Sequence, residues 1–285
     1  MSFLDQVIER KRAEVDEAKR VTTLGELKAM IHDAPPVLAF GRALSDRFGI
    51  IAEIKRKSPS GGEMLPANVS AAPEVYARSS FVKAVSVLTN RADFGMSIGE
   101  LSRVKAIVSK PVLRKDFIFD EYQVYEARAF GADAVLLMVN VLDRDSLKRL
   151  FELSRELSMD VLFEAHTAEE IKSIPTGATI YGINSRKFKA SARWTMAKLL
   201  VGLGLGASGK ASDLSVDLDT FSLVHELPPK AIKVAESGLN PDKISQIVQL
   251  GYHAVLVGTS LLKAPQGIAE MLAQFEEAIL EAQRS

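Results

Sequence analysis

The sequence predicts a closed (β/α)8 TIM barrel with an N-terminal helical extension and an insertion between strands 6 and 7. Three observations carry this. Eight short apolar runs rich in β-branched residues recur along the chain. The runs are continuously apolar rather than alternating, the pattern of parallel strands covered on both faces. Amphipathic helix patterns such as "DEYQVYEARAFGA" and "DRDSLKRLFELSRELS" lie between them, and most repeats span about 20–35 residues, the size of one βα unit. An open doubly wound sheet is the competing architecture, but no Gly-x-Gly-x-x-Gly follows the first run.

Taken in order, residues 1–47 precede the first strand. Phe3, Leu4, Val7, Ile8 and Val15 form part of an apolar helical face, so one or two helices are expected there, packed across one mouth of the barrel. The strands follow as "GIIAEI", "AVSVL", "PVLR", "AVLLMV", "DVLFEA", "IYGIN", "IKVAES" and "AVLVG". The longest interval separates the sixth run from the seventh. It holds Gly202, Gly204, Gly206 and Gly209. "GLGLG" follows no strand and lacks the spacing of a nucleotide-binding loop, so 189–216 is expected to be a flexible insertion at the catalytic mouth. The whole of 1–285 reads as a single domain.

Composition excludes several function classes. Lys plus Arg and Asp plus Glu both number 36, so no global field recruits nucleic acid or an anionic membrane. The chain has no cysteine, hence no disulfide framework, thiolate metal site or cysteine nucleophile. His32, His166, His225 and His253 have no metal-ligand spacing and read as ordinary surface or packing residues. The first twenty residues have no apolar h-region, and no run reaches membrane-spanning length, which predicts a cytoplasmic protein that binds neither nucleic acid nor membrane.

In such a barrel the active site lies at the C-terminal ends of the strands. Strand one ends in Glu53 and Lys55, two apart and therefore on one side. Strand two offers Ser86, strand three runs into Lys115 and Phe117, and strand five ends at Glu164. Strand six gives Asn184 and Arg186; strand seven gives Glu236, Ser237 and Gly238; strand eight gives Gly258, Thr259 and Ser260. Lysines, an arginine and glutamates converging on one mouth suit acid–base chemistry on an anionic substrate. The Gly and hydroxyl residues after strands seven and eight, with a short helix starting near Thr259, match a phosphate cradle, to which Ser58 could add a hydroxyl. Phe94 and Phe117 lie on the opposite side, where a ring-bearing substrate needs apolar walls.

The segments "AEIKRKSPSGG", "SVLTNRADFGMS", "PVLRKDFIFDEYQVYEARAFGADAVLLMV", "GINSRKF", "VAESGL" and "AVLVGTSLL" resemble indole-3-glycerol phosphate synthase, a family of tryptophan biosynthesis. The resemblance runs from the N-terminal helix to the last strand, broken only by the insertion. It implies decarboxylating, dehydrating ring closure of 1-(2-carboxyphenylamino)-1-deoxy-D-ribulose 5-phosphate to indole-3-glycerol phosphate, carbon dioxide and water, with no cofactor and no metal. By similarity Lys115 is the general acid, and Glu164 and Lys55 serve the dehydration, with their division of labour open. Glu53 sets the charge state of the lysines, while Asn184 and Arg186 orient the substrate.

By the same similarity Ser58, Ser237, Gly238, Gly258 and Thr259 hold the phosphate, and Phe94, Phe117 and Leu136 wall the anthranilate ring. Ser86 completes the binding set and Glu236 the catalytic set. The lysine cluster with Arg186 is expected to lower the pKa of Lys115 and so make it an acid near neutral pH. The chain departs from the family pattern at Phe163 and Ala165, where Val is common, at Ser185, where Asn is common, and at Thr259, where Glu or Ser is common. The alternatives are a phosphoribosylanthranilate isomerase and a catalytically inactive phosphate-binding barrel. Association with other tryptophan-pathway enzymes is left open.

Overall fold

The computed structural model describes residues 3–186 and 216–284. Eight parallel strands close into a barrel: β1 (Gly49–Ile54), β2 (Val82–Leu88), β3 (Val112–Lys115), β4 (Ala134–Met138), β5 (Asp160–Ala165), β6 (Ile180–Asn184), β7 (Ile232–Glu236) and β8 (Ala254–Val257). The eight apolar runs fall on these strands. Each pairs with its neighbours in sequence, and β1 closes the ring: Ile50 is in register with Val82 of β2 on one side and Val255 of β8 on the other. All six residues of β1 are buried, because one face fills the barrel and the other meets the helical ring.

Three helices, not one or two, precede the barrel: α1 (Phe3–Val21), α2 (Leu24–Asp33) and α3 (Phe40–Ser45). Leu4, Val7, Ile8, Lys11 and Val15 of α1 are buried, a spacing of three and four that places them on one face. Thr23 caps α2 with a reciprocal box: its hydroxyl accepts from the Glu26 N–H at 3.3 Å, and the Glu26 carboxylate accepts from the Thr23 N–H at 2.6 Å.

The three helices serve different ends of the barrel. In α3 the Gly41 N–H donates to Asp160 Oδ2 at 2.9 Å. A β-carbon on Gly41 would come within 3.1 Å of Ile180 and 3.3 Å of Ile232. Asp160, Ile180 and Ile232 open β5, β6 and β7, so α3 lies across the N-terminal mouth. In contrast, α1 runs along the flank to the opposite end, where Arg10 pairs with Asp93 at 2.5 Å and Lys11 with Asp116 at 2.6 Å.

The insertion expected over 189–216 lies outside the described residues except for Val216. That residue forms an isolated antiparallel bridge with Arg186.

Candidate active site

A cavity of about 260 Å³ opens at the C-terminal ends of the strands, where the barrel rule places chemistry. Glu53, Lys55, Lys115, Glu164, Asn184 and Arg186 line it, together with Ser58, Ser237, Gly238, Gly258 and Thr259. Phe94, Phe117 and Leu136 line it as well. Inward-facing positions of β1, β3, β5 and β6 therefore bring residues far apart in sequence to one mouth.

Lys115 stands at the centre of the charged group. Its Nζ is 2.7 Å from Glu236 Oε2 and 3.2 Å from Glu164 Oε2. Lys55 Nζ donates to Glu53 Oε1 at 2.5 Å. The expected lowering of the Lys115 pKa is overturned. Burial alone would lower it, but Glu236, Glu164 and Glu53 outweigh burial and hold the ammonium charged well above the ordinary lysine range. The three carboxylates arrive from β7, β5 and β1, and they dominate over the neighbouring cations.

The two glutamates around Lys115 are not alike. Burial opposes ionisation of Glu164 most strongly, yet Lys115 and His166 together hold its carboxyl below the usual range. Burial also acts on Glu236, and the Glu164 charge adds to it. The carboxyl is pushed up to about 7 despite Lys115. Of the two, Glu164 is the more readily ionised and Glu236 the more readily protonated.

Two predicted residues sit elsewhere than expected. Ser86 is buried in register with Glu53, but it does not line the cavity. It points inward one layer too deep, and Leu88, two residues further along β2, takes the rim position. Glu236 is likewise fully buried and contacts Lys115 rather than lining the cavity.

The side expected to cradle a phosphate has unusual backbone. Ser237 and Gly238 both have positive φ, 72° and 69°, so the chain leaves β7 in the left-handed region, which is unusual for a serine. A β-carbon on Gly238 would meet Val216 Cγ1 at 2.3 Å, and one on Gly258 would meet Glu53 Oε1 at 2.3 Å. A helical turn, Thr259–Leu262, follows Gly258. From the first loop, the Gly61 N–H donates to Ser58 Oγ at 3.0 Å, and Arg186 donates to Ser60 Oγ. Ser185 donates to the Ser237 carbonyl at 2.9 Å, which ties β6 to the same loop.

Opposite, the Phe94 and Phe117 rings face each other with centroids 6.5 Å apart and planes tilted by 31°. Leu88, Leu136 and Met138 continue this apolar wall. The departure at Phe163 is a packing change, since its ring stacks edge-on against Phe151 at 5.2 Å.

Among the residues that sequence reasoning missed are four that the structure brings to or beside the site. Phe3, assigned only to a helical face, lines the cavity. Lys11 and Asp116 form a buried pair beside Lys115. His166, read as an ordinary histidine, has its ring beside Glu164 and Glu170. Lys11 alone left a signal, as a cation on an otherwise apolar helical face. Among the described residues no group of three or more His, Asp or Glu side chains is arranged to hold a metal ion.

Comparison with known proteins agrees with this geometry. The family model described as indole-3-glycerol phosphate synthase matches residues 4–192. A protein of that name from a Nocardioides species is 36% identical over 286 residues, covering 97% of this chain and all of the relative. Another from Bacteroides thetaiotaomicron is 35% identical over 283 residues, covering 97% of this chain and 98% of the relative. A crystal structure of 3-hexulose-6-phosphate synthase from Salmonella typhimurium superposes with a TM-score of 0.56 at 14% identity, covering 83% of this chain and 99% of that one; that likeness concerns the barrel alone. On the family model and these near full-length relatives, the chain belongs to the indole-3-glycerol phosphate synthase family.

Proposed function

We propose that Lys115 and Glu164 carry the acid–base chemistry by which this chain makes indole-3-glycerol phosphate. The enzyme is a carboxy-lyase of tryptophan biosynthesis. Its substrate is a phosphorylated small molecule, 1-(2-carboxyphenylamino)-1-deoxy-D-ribulose 5-phosphate. The observation that carries the residue assignment is the position of Lys115. Its charged Nζ lies between two buried glutamates and at the edge of a cavity that is aromatic on one side and lined by Ser237, Gly238, Gly258 and Thr259 on the other.

The phosphate sits at Ser237, Gly238, Gly258 and Thr259, with Ser58 reaching over from the first loop. The anthranilate ring then lies along Phe94, Phe117 and Leu136. This places the ketone between them, within reach of Lys115. The aromatic carbon bearing the carboxylate attacks the ketone carbon while Lys115 gives a proton to the ketone oxygen. Loss of carbon dioxide returns the electron pair to the ring.

The hydroxyl so formed must then leave as water. Lys55, hydrogen-bonded to Glu53 at 2.5 Å, donates the proton to it. Glu164, held ionised, removes the proton from the carbon next to nitrogen. Asn184 donates to Glu164 and accepts the Arg186 backbone N–H at 2.9 Å, so it aligns the base with the arginine that faces the substrate. Charges already fixed in place need no reorganisation during the reaction, which is the main source of such catalysis.

The test is indole fluorescence on addition of the carboxyphenylamino-deoxyribulose phosphate, for wild type beside Lys115→Ala. Turnover by wild type and a loss of about 10²–10⁴-fold in the variant is the expected result. Absence of turnover in folded wild type overturns the function. Survival of turnover in Lys115→Ala overturns the choice of acid.

A further inference from the structure

We propose that His166, oriented by Glu170, is a positioning residue that holds the Glu164 carboxylate in register for catalysis from the side opposite Lys115. The proposal rests on the reading of Glu164 as the base.

The geometry begins with Glu170. Its Oε2 accepts the backbone N–H of His166 at 2.7 Å and lies 3.1 Å from His166 Nδ1. One carboxylate oxygen therefore grips both the backbone and the ring of the same residue. The Thr167 hydroxyl in turn accepts the Glu170 N–H at 3.1 Å and caps the helix Ala168–Ser173. With Nδ1 committed to Glu170 as a donor, the ring turns Nε2 toward the barrel, 3.7 Å from Glu164 Oε1. That separation is within ion-pair range and less than an ångström longer than a hydrogen bond.

Glu164 is thereby placed between Lys115 and the His166 ring. Lys115 addresses Oε2 from β3, and His166 addresses Oε1 from the end of β5. The His166 side chain is 7% exposed, against 19% for Glu170, so the ring is shielded while its orienting carboxylate reaches solvent. The titratable groups bearing on the ring are Glu164 on β5, Glu170 on the following helix and Glu236 on β7, with Lys115 on the far side of Glu164. Burial opposes the imidazolium, but these carboxylates prevail and raise its pKa above the ordinary histidine value. An orienting carboxylate that fixes the tautomer of a working imidazole is a general device in enzyme sites.

Two substitutions separate positioning from mere packing. His166→Asn keeps an N–H near Nδ1, toward Glu170, and loses the group facing Glu164. His166→Gln places its N–H near Nε2 and restores that group. The expected result is that kcat falls about 10-fold in His166→Asn with KM within about twofold, and recovers most of the loss in His166→Gln. Loss of the cation raises the pKa of Glu164, so the acid limb of kcat against pH moves up by about one unit in His166→Asn. A purely structural histidine would lower the melting temperature of both variants and leave the acid limb in place.

A second measurement needs no substrate. The 15N titration of the His166 ring is read in wild type, Glu164→Gln and Glu170→Gln. The expected result is a midpoint above that of an ordinary histidine in wild type and lower in each variant. An unchanged midpoint in Glu164→Gln, or an unchanged kcat and acid limb in folded His166→Asn, overturns the proposal. Because the titration reads the contact directly, it decides even if wild type does not turn over the expected substrate.

Discussion

Lys11 Nζ lies 2.6 Å from Asp116 Oδ2, and this contact joins the N-terminal helix to the residue next to Lys115. Both side chains are almost wholly buried. Lys11 also donates to the Thr89 carbonyl at 3.0 Å, and the Thr89 hydroxyl donates to Asp116 Oδ2 at 2.6 Å. Arg114 completes the cluster, 3.1 Å from Asp116 and 2.8 Å from Glu126. A buried cluster of this kind stabilises little by its existence, yet removal of one member leaves a desolvated charge behind. Its consequence is positional: α1 is pinned where β2 and β3 end, and Phe3 at its start reaches the cavity.

Lys11→Met keeps the volume and removes the charge. Asp116 retains Arg114 and Thr89, so the expected loss of stability is about 1–3 kcal/mol, measured by urea unfolding. Burial opposes the Asp116 charge, but Lys11 and Arg114 hold its carboxyl below the ordinary range. A depressed pKa contributes stability above the unfolded value and loses it as pH falls through the folded value. Without Lys11 the folded pKa rises, so acid unfolding of the variant begins at a higher pH than in wild type. Equal acid midpoints would show that Arg114 alone satisfies Asp116.

The Glu164–Glu236 pair makes a second, spectroscopic prediction. Burial and then the charge of Glu164 push Glu236 up to about 7, against the opposing pull of Lys115. Glu164→Gln removes one contribution that raises the value and leaves the lysine. The carboxyl signal of Glu236, followed by 13C NMR, is expected to titrate near neutrality in wild type and at lower pH in Glu164→Gln. A midpoint that rises in the variant would mean that Lys115 had left Glu236 and followed the lost partner.

How much of this was legible follows from the range of each interaction. The strands were readable because burial on both faces leaves continuous apolar runs such as "AVLLMV", a local signal. The cavity residues were readable because the end of a strand is also local, and the barrel rule converts strand ends into one mouth. Depth within the barrel was not. Alternation places Ser86 and Leu88 on the same side of β2 but does not say which one reaches the rim. The charge state of Lys115 also depends on chain closure, since Glu53, Glu164 and Glu236 meet only when β1, β5 and β7 are assembled. His166 was obscured for a related reason: its partner Glu170 is four residues away, but its relation to Glu164 depends on how the chain turns after β5.

The two halves of the cavity are expected to separate by ligand. Phe117→Ala removes one ring of the wall formed with Phe94 and leaves the phosphate loops untouched. Affinity for an anthranilate-bearing substrate analogue, measured calorimetrically, is expected to weaken by about 1.5–3 kcal/mol, the contribution of one buried aromatic side chain. Affinity for inorganic phosphate is expected to stay the same. Equal weakening of both ligands would show that the wall supports the loops rather than the ring.

Gly258→Ala tests a place where the proposed catalytic and phosphate-binding groups touch. A β-carbon there would sit 2.3 Å from Glu53 Oε1 and 3.0 Å from Glu53 Cβ and Cδ. The backbone of β1 is fully buried, and Lys55 holds the carboxylate, so the side chain has little room to retreat. Either Glu53 swings away and Lys55 loses its partner, or Gly258 retreats and the turn Thr259–Leu262 moves with it. The first outcome lowers kcat, because the charge that holds Lys55 is displaced. The second raises KM, because the turn proposed to hold the phosphate shifts. A fall in kcat of at least about 10-fold with KM nearly constant is the expected result, since a terminal carboxylate yields more readily than a helix start braced by the Leu262 N–H to Gly258 carbonyl bond at 2.9 Å. Steady-state kinetics over a range of substrate concentration distinguishes the two, and a change confined to KM would reverse the order of stiffness argued for Glu53 and the turn.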